Sequence, residues 1–191
     1  DGPTLDAGPR FTIAGSSGTR EIPRSGIYWT RLGSENPASR RNLPLFLNDP
    51  RYTFSVPGGR DIAGLSGTIP GIPHFEWINR GALASIDRLR GAAVQWRGVP
   101  KDAIVLILAA SFDPASTAGG IAYCAAKNGA DRFFIPPEIL AHFPATGRAA
   151  GPARSGVAVI ALRLKSGPSI AGADPVRLVS VSVSAREAEF R

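Results

Sequence analysis

The stretch "PVRLVSVSVSA", residues 175–185, decides the fold class. Val179, Val181 and Val183 oppose Ser180, Ser182 and Ser184 with a period of two. Successive side chains of an extended chain point to opposite faces, so this is the clearest half-buried strand signature in the chain. The same alternation assigns faces elsewhere. Phe75 and Trp77 share one face and Glu76 takes the other, while Val94 and Trp96 oppose Gln95 and Arg97.

Two strands break the pattern. Residues 104–109 and 157–162 are apolar on both faces. A strand of an antiparallel sandwich normally wets one face. Both strands are therefore expected to have both faces covered, by the other half of the chain or by a second copy of it.

The rest of the chain is punctuated in the same style. "RFTIAG" (10–15) runs into the turn "GSSGT"; "GIYWTRLG" (26–33), a polar loop, "LPLFLNDP" (43–50), "YTFSVPGG" (52–59) and "DIAGLSGTIP" (61–70) follow. Each is short, carries β-branched or aromatic residues and is bounded by Gly, Pro, Asn or Asp, which predicts an all-β sandwich or barrel. "PGIPH" (70–74) is the best internal boundary, because its prolines stiffen the chain and interrupt any ladder. We expect an N-terminal β-sandwich subdomain over 1–72 and a β-sandwich domain over 73–191, or the two packed as one unit.

One segment is helical. In "DRFFIPPEILAHFP" (131–144), Pro136 ends a strand and Pro137 suits a first helical turn, where its missing N–H costs nothing. Glu138 complements the helix dipole in that turn, and Ile139, Leu140 and Phe143 recur at roughly helical spacing. Under two turns is unstable alone. One short helix near 137–143 is expected to cap an open end of the sandwich as a plug.

Composition bounds the rest. The 191 residues are 43% hydrophobic, enough to bury a core, with 22 Gly and 17 Pro and no period. The net charge is +7, carried by arginines apart from Lys101, Lys127 and Lys165. The arginines are spread along the chain without a stripe or interleaved aromatics, so a coding bias towards Arg explains the charge and no nucleic-acid partner is expected. One cysteine, Cys124, excludes an internal disulfide and a cysteine-based metal cluster. No methionine is present, so the chain is expected to start after processing. No apolar run reaches the ~18 residues of a transmembrane segment.

Chemistry is sparse. His74 and His142 have no ligand repeat beside them, and each reads as a partly exposed polar residue. There is no nucleophile elbow, phosphate loop or dinucleotide fingerprint. Asp49 and Asp113 lie in turns that are able to ligate calcium, but no dense acidic run supports a site, so no metal and no cofactor is expected. Cys124 reads as a small buried residue. Trp77 and Trp96 read as core. Trp29 differs: if Tyr28 and Leu32 point inward, Trp29 lies at the surface beside Arg31, a pairing that suits sugar or anion recognition.

"FEWINRGALASIDRLRGAAVQWRG", "YCAAKNGADRFFIPPEILAHFP" and "SGVAVIAL" resemble a module common in uncharacterised secreted acidobacterial proteins. Its pattern is an aromatic-Trp-Thr-Asn opening, a strand ending Trp-x-Gly, a Phe/Tyr-x-Cys strand, then Phe-x-Ile-Pro and a short helix. "LDAGPRFTIAG" and the segments up to "DIAGLSGTI" resemble what often precedes it. The chain departs at Ile78, where the module has Thr, at "WRGVPKD", which replaces a Gly-Gly turn, and at "YC", which lacks a spacer. The resemblance implies an immunoglobulin-like antiparallel β-sandwich, secreted or at the cell surface, and carries over no catalytic residues. The leading expectation is a non-catalytic extracellular module, not an enzyme, serving adhesion, assembly or spacing. Its partners are then other domains of a larger secreted protein or a second copy. The alternative is a carbohydrate-binding module gripping polysaccharide through Trp29 and Arg31, and a third class is a hydrolase around His142 or Cys124.

Overall fold

Period-two stretches become strands wherever Gly, Pro or Asp lets the chain reverse between them. The computed structural model describes residues 5–28, 30, 46–113, 118–146, 155–168 and 176–191. In chain order the strands are β1 (Arg10–Gly15), β2 (Gly18–Ser25), β3 (Ile27–Tyr28), β4 (Arg51–Gly58), β5 (Ala63–Pro70), β6 (Glu76–Trp77), β7 (Ser85–Ile86), β8 (Ala92–Arg97), β9 (Ile104–Phe112), β10 (Gly119–Ala125), β11 (Arg132–Ile135), β12 (Gly156–Ser166), β13 (Arg177–Glu187) and β14 (Glu189–Phe190). A 3₁₀ turn occupies Arg80–Ala84 and the helix α1 is Pro137–Leu140. The fold is all-β and sandwich-like, with several antiparallel sheets and, among the described residues, one short α-helix. The sheet orders are β3-β2-β1-β4-β5, β10-β9-β12-β13, β11-β8-β6 and β14-β7, the last a parallel pair. The chain divides into two compact units, Asp1–Pro73 with Arg163–Ser180, and His74–Leu162 with Val181–Arg191.

In the first unit, β4 buries Tyr52, Phe54 and Val56 and exposes the residues between them. Phe11 stacks on Phe54 at 5.7 Å, and Ile13, Ile22, Phe46 and Tyr52 form the core with Tyr28 and Ile69 packed against it. "GSSGT" turns as its composition predicts, with Gly15 paired to Gly18. Gly15 is required there because a Cβ would stand 2.5 Å from the Asp49 carboxylate. That carboxylate accepts hydrogen bonds from the Ser16 N–H and hydroxyl, both 2.6 Å. Two expectations are corrected. Residues 46–50, the described part of "LPLFLNDP", form bends and no strand. Their backbone is occupied instead by Tyr52, whose hydroxyl bonds to the Asp49 N–H and the Phe46 carbonyl. Conversely "GTREIPRS" forms β2, which its charges and Pro23 concealed. Six of its eight residues are exposed around the single buried Ile22, so it carries little apolar alternation.

Three carboxyls in this unit are held below the ordinary carboxylate range. The Gly8 N–H does this for Asp6, the Ser16 hydroxyl for Asp49 and the Arg60 guanidinium for Asp61. A depressed folded-state pKa contributes stability that is complete above the unfolded value, about 3.9, and lost as pH falls through the folded value. The first unit is therefore expected to keep its denaturation midpoint from pH 7 to 5 and lose it below about pH 4. Urea titrations at pH 7, 5 and 3 check this, and Asp49→Asn is expected to flatten the acid limb.

In the second unit the alternation of β8 holds: Val94 and Trp96 are buried, Gln95 and Arg97 exposed. Trp77 pairs with Trp96 across β6 and β8, and both indoles lie in the core. Asn79 secures this corner. Its Oδ1 accepts from the Trp77 indole N–H (3.2 Å) and the Gln95 N–H (2.9 Å), and its Nδ2 donates to the Ala93 carbonyl (2.8 Å). On β9 and β12, Val105, Ile107, Ala109, Val157, Val159 and Ala161 are buried. The helix forms where Pro136 and Pro137 predict it, one turn shorter than the apolar spacing suggested, with turn residues continuing to Phe143. Leu140 and Phe143 are buried, and Phe143 packs on Phe190 at 5.5 Å. The carbonyls of Phe143 and Pro144 accept from Arg88 Nη1 (2.6 Å) and Ser111 Oγ (2.7 Å). The segment is a structural plug, bolted on both sides.

Candidate interaction surface

The sites expected from sequence are quickly placed. Trp29 and Arg31 lie outside the described residues. His142 is exposed in the turn after α1, and its ring makes no hydrogen bond among the described residues. His74 is exposed. Cys124 is half-buried on β10, and burial pushes its thiol pKa up, the opposite of nucleophile activation. Asp49 spends both oxygens on Ser16. Among the described residues no three His, Cys, Asp or Glu side chains gather as a metal-binding group.

The feature that stands out is the outer face of the part of the sheet β10-β9-β12-β13 that lies in the second unit, up to Leu162 on β12 and from Val181 on β13. Register places Tyr123 opposite Leu108 and Leu108 opposite Ala158. The next rows are Ile121, Ala110 and Gly156 on one side and Ala125, Leu106 and Ile160 on the other, with Ile104 opposite Leu162 at the end. All point away from the buried face. On β13, Ala185 and Glu187 border a hollow together with Leu108 and Ala110, so Val181 and Val183 share that face by alternation.

The strands expected to be covered on both faces are thus half-covered. Leu106, Leu108, Ile160 and Leu162 are half-buried among their neighbours and Ile104 is exposed. The flanking strands expose large apolar residues: Tyr123 at 71%, Ile121 at 65%, Val183 at 58% and Val181 at 57%. β10 thus turns its small residues inward and its large ones outward. On β10, Gly120 faces in, because a Cβ there would stand 2.8 Å from the Phe143 ring. On β13 the serines take the inner, half-buried positions and the valines the outer ones.

The hollow measures about 350 Å³ and lies between β9, β12 and β13. Gly156 opens it: a Cβ at 156 would come 2.3 Å from the Arg186 carbonyl oxygen. The Arg186 backbone borders the hollow, while its side chain takes an inner position, where Nε is buried with no hydrogen-bond partner among the described residues.

The other outer face of the same unit, on β11-β8-β6, is polar. Glu76 binds Arg97 through contacts of 2.5 and 2.7 Å, and Gln95 pairs with Arg132. A groove of about 380 Å³ there is bordered by Gln95, Lys127, Arg132 and Phe134. Phe134 is exposed, and neither Lys127 nor Arg132 has a side-chain partner among the described residues.

No family model matches the chain, and comparisons with curated proteins and with solved structures return no match. No helix among the described residues is long and apolar enough to cross a membrane.

Proposed function

We propose that this chain is a non-catalytic assembly module of a secreted or cell-surface protein, and that the outer face of β10-β9-β12-β13 is its working surface. The uncharged, apolar centre of that face carries the reading. A monomer rarely leaves a contiguous apolar patch of several hundred Å² to water unless something binds it. The resemblance of residues 75–98, 123–144 and 155–162 to a secreted immunoglobulin-like module supports the location. The test introduces charge at two exposed points, Tyr123→Glu with Val183→Glu. Each is expected to shift stability by no more than about 0.5 kcal/mol, as surface substitutions do, while binding of an apolar reporter dye falls. A stability loss as large as that of a core variant means the chain covers this face itself, and the reading fails.

The Phe134 groove favours a second reading, recognition of an anionic polysaccharide, through an aromatic ring beside two unpaired cations. Retention on an acidic polysaccharide gel is expected to drop about tenfold in Arg132→Gln and in Phe134→Ala. Equal retention of wild type and variants removes it.

A further inference from the structure

We infer that the occupant of the apolar face is a second copy of this chain, docked face to face about a two-fold axis, with Tyr123 of each copy seated in the hollow of the other; this rests on the assembly reading above. Charge selects the partner. The centre of the face carries no charged side chain, Glu187 standing at the rim of the hollow, so its complement is another uncharged sheet face; a partner chosen by charge finds its arginines on the opposite sheet. Area permits it. Four strands about 4.8 Å apart and seven residues long cover roughly 450 Å² per copy as a flat footprint. Corrugation by side chains carries the total accessible area removed past the ~1,000 Å² that a specific interface needs.

Shape sets the geometry. The face has one large projecting aromatic, Tyr123 on β10, and one hollow, bordered by β13 on the far side of the sheet at the same level along the strands. An axis parallel to the strands, between β9 and β12, lays β10 of one copy over β13 of the other. It brings knob to hollow twice, as an isologous interface demands. Aligned packing of two sheets at about 30° is the ordinary way such faces meet.

The expected result in sedimentation equilibrium is a monomer–dimer equilibrium in the micromolar range that tightens with added salt, because each copy carries +7. Tyr123→Ala is expected to weaken it about 30-fold or more, and Tyr123→Phe by no more than about threefold, because the ring that fills the hollow remains. Ala185→Phe, which fills the hollow from an exposed position, is expected to abolish it with the urea midpoint unchanged. In a Cys124→Ser background, Tyr123→Cys and Ala185→Cys chains are expected to cross-link to each other when mixed and neither to cross-link to itself. A dimer indifferent to both Tyr123→Ala and Ala185→Phe overturns the proposal. So does a monomer at every concentration; if that monomer still binds an apolar dye that Tyr123→Glu removes, the assembly reading stands, and if it binds none both fall.

Discussion

Trp96→Ala is expected to lower the stability of the second unit by about 3–5 kcal/mol, the range for deleting a fully buried tryptophan. Trp96 is 1% exposed and sits in the centre of β8, opposite Trp77. A domain has only about 5–15 kcal/mol in hand, so this variant sits near its unfolding midpoint under mild denaturant. Trp96→Phe is expected to cost less than half as much. It too opens a cavity, but it also removes an indole N–H that is buried with no partner among the described residues, and such a donor costs about 1–3 kcal/mol. Urea midpoints of the three proteins, followed by near-UV circular dichroism, check the ranking. A Trp96→Phe loss equal to that of Trp96→Ala means the indole N–H is satisfied in solution.

Leu140→Ala is expected to cost about 2–5 kcal/mol, because Leu140 is fully buried and α1 is too short to adapt around a cavity. Its loss also loosens what rests on the plug. Phe143 holds Phe190, and the Thr146 N–H donates to the Phe190 carbonyl at 2.8 Å. The return bond, from the Phe190 N–H to Thr146 Oγ1 at 3.1 Å, fixes β14 beside it. His142→Ala, one turn away and exposed, is expected to change the midpoint by no more than about 0.5 kcal/mol. The contrast separates a plug from a reactive centre: a chain in which His142 matters more than Leu140 is not built as described.

Strand identity was legible wherever apolar side chains alternate, as on β4 and β8, because pleat geometry is a property of one chain. Turn positions were equally legible, since Gly18, with φ of 101°, and Pro70 and Pro136 act through their own backbones. β2 and β14 were hidden for one reason: each buries a single residue, Ile22 or Phe190, which is too little to show as alternation, and neighbouring hydrogen bonds complete the pairing. Arg24 N–H reaches the Pro9 carbonyl at 2.9 Å, and Arg191 N–H reaches Ile86 at 2.9 Å.

The residues by themselves determined that this chain pleats, reverses often and splits its side chains between two faces. Only the tertiary structure decided which of those faces meets water. "VSVSVS" specifies that valine and serine part company, but only the folded sheet places the serines at the half-buried positions and the valines outward. On β10 the ring of Phe143, twenty-three residues beyond Gly120, does the same to Ile121 and Tyr123. Alternation is set by bonds between neighbours; its sign is set by what packs across the sheet, and that partner lies elsewhere in the chain.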